Sequence, residues 1–154
     1  MNKGFTLIEL ILVIAIISIL SGVILFSVSQ YLSKGKDSNI KGNLAVLIPA
    51  GETFYNIENA AHGDGYNGFC DPSQNSVINN IISSMQKNLS PSPADCSSGL
   101  TPGVCCNVAP PYFDKWVACT REFADSSKAY CVDSRGMKED ISDSSCTSSL
   151  SQCP

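Results

Sequence analysis

The 154-residue chain has one histidine, one tryptophan, no cysteine before position 70, and no charged residue between Leu10 and Ser29. Each shortage excludes something. A Ser-His-Asp or Cys-His nucleophilic site would have to be built on His62, which sits in the glycine-rich stretch "HGDGYNGFCD" and reads as a surface loop residue. No G-x-S-x-G, H-E-x-x-H or phosphate-cradling glycine motif occurs, so no catalytic residue is assigned. Ten Lys and Arg against fourteen Asp and Glu leave a net charge of −4. That disfavours sequence-independent nucleic-acid binding, which relies on clustered cations.

Metal and cofactor chemistry is equally thin. Asp64 and Asp71 lie among glycines but lack the spaced acids and closing Glu of an EF-hand loop. Glu139, Asp140 and Asp143 in "MKEDISD" read as a solvated turn, and Asn88 heads a formal sequon only. No metal or cofactor is expected.

What is present begins with eight cysteines: Cys70, Cys96, Cys105, Cys106, Cys119, Cys131, Cys146 and Cys153. Their number is even and no C-x-x-C pair occurs, whereas structural zinc sites usually place two ligands two to four residues apart. They read as disulfides, which puts this part of the chain outside the cytosol. The adjacent Cys105 and Cys106 are expected to reach different partners. Once the first thirty residues are set aside, about 120 remain, enough for one modest domain.

The twenty uncharged residues Leu10–Ser29 would span about 30 Å as a helix, the thickness of a bilayer core. A secretory signal has a shorter apolar region and an A-x-A-like cleavage site. Charge bias opposes the orientation that the cysteines demand, because Lys34, Lys36 and Lys41 outnumber Lys3. The unexplained residue is Glu9, an acid within the apolar run. A charge at the centre of a membrane helix costs roughly 2.5–3.5 kcal/mol, and anchoring alone does not need one.

The stretch Lys3-Gly4-Phe5-Thr6-Leu7-Ile8-Glu9, opening an apolar helix, resembles the N-terminus of type IV pilins and their relatives. The resemblance implies cleavage between Gly4 and Phe5 by a prepilin peptidase on the cytoplasmic side, with methylation of the new Phe5 amine. It implies that Glu9 of one subunit meets the Phe5 amine of a neighbour in a helical filament. Opposite charges at low dielectric attract strongly, and a misregistered subunit would leave both unpaired. The implied fold is α+β and pilin-like: a long N-terminal helix packed on a small antiparallel sheet, with a disulfide-rich C-terminal region. Its expected division is a leader over 1–4, a transmembrane and filament-core helix over 5–29, an amphipathic continuation over 30–58, and a head over 59–154.

The residues agree with that plan. Ile40, Leu44, Leu47 and Ile48 form one helical stripe that continues through "GETFYNIEN", with a kink expected just before Pro49. Pilins often carry a proline in the membrane segment; here there is none, and Gly22 beside Ser21 is the nearest weak point. Val77, Ile78, Ile81, Ile82, Met85 and Leu89 predict a second helix, with Ser76 as its cap. "KWVACTREF" and "AYCVDSRG" predict a hairpin with Trp116, Ala118 and Thr120 on one face. The polar tail resembles a pilin's C-terminal loop, which implies a Cys146–Cys153 pair.

The expected function is a structural pilus subunit serving adhesion, motility or DNA uptake, held in the cytoplasmic membrane until polymerised. Its implied partners are like subunits, the peptidase and an assembly platform. Two alternatives stay open. One is a minor pseudopilin of a type II secretion system; the Trp-Gly-Pro-Tyr signature of a major one is missing, since "VACT" follows Trp116. The other is a monomeric, membrane-tethered, disulfide-rich binding domain, which leaves Gly4-Phe5 and Glu9 unexplained.

Overall fold

A computed structural model gives the architecture and describes residues 4–61, 63, 65–71, 73, 75–86 and 104–154. Among the described residues two helices precede four strands: α1 (Leu7–Ala61), α2 (Ser76–Gln86), β1 (Cys105–Val108), β2 (Trp116–Arg121), β3 (Lys128–Asp133) and β4 (Lys138–Ser142). A 3₁₀ turn over Asp143–Ser145 follows. The strands form one antiparallel sheet in sequence order.

Helix α1 runs unbroken for 55 residues and carries Pro49 inside it. Its two halves live in different surroundings. Large apolar side chains from Leu7 to Leu25 are exposed, whereas Ile40, Leu44 and Leu47 are fully buried against the sheet. Burying each such residue stabilises the packing by about 1.5–3 kcal/mol. Trp116 and Phe69 close this core at its far end, ring centroids 4.8 Å apart. Helix α2 adds Ile78 and Met85 to it. The cap of α2 is Asn75 rather than Ser76: its side-chain oxygen accepts the N–H groups of Val77 and Ile78 at 3.0 and 3.3 Å.

Strand β2 runs antiparallel to α1. Trp116 at its start lies against Gly51, and Phe123 just past its end meets Asp37. Fourteen helical residues cover about 21 Å and seven extended residues about 23 Å, so strand and helix match in length. The hairpin of β2 and β3 is as the sequence predicts. Strands β1 and β4 are additions: "KEDIS", read as a solvated turn, is the edge strand β4, paired Ala129↔Ile141 and Cys131↔Glu139.

The sheet has two covered faces. One carries Cys106, Trp116, Ala118 and Val132 toward the helices. The other carries Cys105, Val117, Cys119, Ala129, Cys131 and Ile141, and the C-terminal tail lies across it. This corrects the disulfide expectation. Cys146 bonds Cys119 and Cys153 bonds Cys131, so Cys146 and Cys153 are not paired with each other. The reason is register: Cys119 and Cys131 stand opposite one another on that face, and each takes one tail cysteine. Closing loops of 27 and 22 residues removes more freedom from the unfolded chain than a seven-residue loop would, on the order of 3–4 kcal/mol each. Cys70 bonds Cys106 on the helix side, and Cys105 is in a separate disulfide.

Asp133 fixes the tail's end. Fully buried, it accepts from the side chain of Arg135 at 2.6 and 2.9 Å and from the Cys153 N–H at 3.1 Å. Arg135 also donates to the Cys153 carbonyl. A serine-rich tail, too polar to pack by itself, is thus held by two disulfides and one buried carboxylate.

Candidate functional site

At the N-terminus Gly4, Phe5 and Thr6 precede the first helical turn, and Phe5 is 85 % exposed. Thr6 donates to Glu9 Oε2 from its N–H at 2.9 Å and from its hydroxyl at 2.7 Å. The Glu9 N–H returns a bond to Thr6 Oγ1 at 3.4 Å. This is a capping box, two otherwise orphaned donors satisfied reciprocally. Sequence reasoning placed Glu9 at an assembly contact and gave Thr6 a place in the motif but no capping role. The T-x-x-E spacing was the available signal. Both Thr6 bonds use Oε2, and Oε1 has no partner among the described residues.

Beyond Glu9 the helix is apolar on every side and, by length and composition, can cross a membrane. Among the described residues no packing partner covers Leu10 to Leu25. Exposed apolar area on that scale marks a surface made for lipid or for protein contact.

Residues 1–25 match the model of the prokaryotic N-terminal methylation motif. The chain carries that motif. Relatives agree over the same region. The type IV major pilin protein PilA of Myxococcus xanthus (strain DK1622) is 41 % identical over 54 residues, 35 % of this chain and 24 % of the relative. The type IV major alpha-pilin and fimbrial protein Q of Moraxella bovis are each 50 % identical over 44 residues, 29 % of this chain and 28 % of theirs. The chain thus spans about a quarter of the length of the curated relatives it matches. No solved structure matches. The long helix, four-stranded antiparallel sheet and C-terminal disulfides fit the α+β fold of a type IV pilin.

The pilin-like helix is locked to its head by groups that the sequence did not announce. The buried Asp37 accepts the backbone N–H groups of Phe123 and Ala124 at 2.5 and 2.9 Å. Lys41 bridges Glu122 and Asp140 at 2.5 and 2.6 Å and sits 4.9 Å from the Tyr130 ring centroid. The Lys41 hydrogen bond holds the Asp140 carboxyl below the usual carboxylate range. Arg121 makes a bidentate pair with Asp143. Of the acids read as a turn, Asp140 and Asp143 are therefore structural partners.

Other candidates fall in place simply. Asp71 accepts from the N–H and hydroxyl of Ser73, a local turn. His62, Asp64, Asn88 and Cys96 lie outside the described residues. The sulfurs of Cys105, Cys119 and Cys146 lie within 4.8 Å of one another. All three are committed to disulfides, so they offer no thiolate to a metal.

Proposed function

We propose that this chain is a structural subunit of a type IV pilus filament. It is cut between Gly4 and Phe5 by a prepilin peptidase, methylated on Phe5, and assembled from the membrane through its N-terminal helix. The observation that carries the reading is Glu9: one carboxylate oxygen closes the helix cap with Thr6 while the other has no hydrogen-bond partner among the described residues. The cap alone accounts for a polar residue at this position, but a glutamine would serve it as well. A full negative charge in an apolar segment fits an opposite charge arriving from outside the chain, and the freed amine of a neighbouring Phe5 is that charge. Leader 1–4, core helix 5–29, continuation 30–58 and head 59–154 then take the roles of removable leader, filament core, scaffold and exposed shell. The subunit rests in the cytoplasmic membrane with its disulfide-bonded head outside, then passes to an extracellular fibre used for adhesion, motility or DNA uptake.

Glu9→Gln separates cap from charge. The variant keeps a side chain able to close the box, so membrane insertion and head folding are retained. Surface filaments are lost if charge pairing drives assembly. Filaments at wild-type yield would reduce Glu9 to a cap and sink the proposal.

A further inference from the structure

Two features at opposite ends of the head present exposed surface. The first is the β1–β2 tip, Ala109–Lys115. The Ala109 N–H donates to the Lys115 carbonyl, and the Phe113 N–H donates to the Ala109 carbonyl, each at 3.0 Å. The Phe113 carbonyl in turn accepts the Tyr66 N–H at 2.7 Å, and Phe113 is held at φ +50°. The tip is thus pinned to the core, yet Pro110 and Pro111 are exposed and Tyr112 is 83 % exposed. A pinned, protruding aromatic loses little freedom on binding.

The second feature lies at the membrane-proximal end, where α1 leaves the head. A groove of about 300 Å³ opens there, lined by Ser29, Gln30, Ser33, Lys34, Phe123 and Ala124. It has an aromatic wall, hydroxyl and amide groups, and a cation at its rim. The Lys36 ammonium lies 4.8 Å from the Phe123 ring centroid.

We infer that the Tyr112 tip of one copy seats in the α1–head groove of another, making a head-to-base contact between subunits. The inference rests on the filament reading above. Three observations point to a second copy as occupant. Tip and groove lie about 27 Å apart along the same helix, since the tip sits beside Tyr55 and the groove beside Asp37. A patch and a complementary pocket on opposite ends of one molecule make a heterologous contact, which propagates rather than closes. One charge pair also matches: Asp114 in the tip and Lys34 at the groove rim are both exposed, neither has an ion-pair partner among the described residues, and the neighbouring Lys115 leaves the tip as a whole neutral. A tyrosine ring can bury ~150–250 Å² while its hydroxyl meets a polar partner, as Gln30 offers here.

The test places a photoreactive benzoylphenylalanine at Tyr112 in the full-length chain, irradiates assembled filaments and maps the linked peptides. Linkage to peptides containing Ser29–Lys34 or Phe123–Ala124 is expected, and must be between copies given the separation within one. A charge swap supplies the second readout. Asp114→Lys and Lys34→Asp each lower the yield of sheared filament about two- to five-fold, the scale of a rim ion pair, and the double variant restores it. Filaments that form with Tyr112 linked elsewhere, linked to lipid, or unlinked overturn the inference. So does a double variant as weak as the singles. Failure of the unmodified chain to form filaments at all would instead defeat the filament reading, and this contact with it.

Discussion

Gly51 lies directly beneath the indole of Trp116: a Cβ there would come within 2.6 Å of Nε1 and 2.9 Å of Cε2. The helix and sheet of the head can approach this closely only because position 51 has no side chain. Glycine in a helix interior costs about 1 kcal/mol relative to alanine, so the close packing outweighs a propensity loss.

Gly51→Ala is therefore expected to destabilise the head. Forcing a methyl against a rigid ring costs ~1–3 kcal/mol, less the ~1 kcal/mol that alanine returns. Thermal unfolding of the detergent-solubilised chain measures the difference. The single tryptophan makes its fluorescence a direct reporter of the displaced ring. A variant more stable than wild type would show that helix and strand separate easily at this point.

Asp37→Ala leaves the N–H groups of Phe123 and Ala124 without their acceptor. Hydrogen bonds to a charged group are worth about 1.5–3 kcal/mol each, so the β2–β3 turn should loosen from α1. Amide exchange at Phe123 and Ala124 should accelerate while exchange in β3 stays slow. Equal protection in the variant would mean that Lys41 alone holds the turn.

Peptide mapping of the non-reduced protein should recover Cys70–Cys106, Cys119–Cys146 and Cys131–Cys153. Replacing Cys131 and Cys153 together by alanine should cost about 2–5 kcal/mol and free the tail from Asp133. Recovery of a Cys146–Cys153 peptide would contradict the tail's path across the sheet.

Tyr66 supplies a pH signature. Burial, and next the neighbouring Glu52 carboxylate, push its phenol up to about 12 from an ordinary value of 10.0. A raised value in the folded state means that stability is fully present below pH 10 and is lost as pH rises toward about 12. Denaturant midpoints should fall across that window in wild type, and Tyr66→Phe should flatten that part of the fall. An identical decline in both proteins would place the tyrosine outside the linkage.

How much of this was legible in the sequence depended on periodicity. The stripe Ile40, Leu44, Leu47 repeats at helical spacing, and Trp116-Ala118-Thr120 alternates, so α1 and the β2–β3 hairpin could be read directly. Strand β4 could not, because an edge strand buries little: of "KEDIS" only Ile141 is buried. The disulfide pairing was out of reach for a related reason. It follows from the register that sets Cys119 opposite Cys131, and register is a property of the folded sheet. Asp37 and Asp133 look like surface acids in a string of letters. Only the fold shows what backbone each one receives. The Thr6–Glu9 cap is the exception, fully written in a T-x-x-E spacing, and it adds to the reading of Glu9 a local role that uses Oε2.

The most direct test is an intact mass, with N-terminal sequencing, of the chain recovered from filaments sheared off the cell surface. A pilus subunit predicts a chain starting at Phe5, heavier by one methyl group and lighter by the hydrogens its disulfides have lost. A chain still starting at Met1, found only in the membrane fraction, would contradict processing and assembly together.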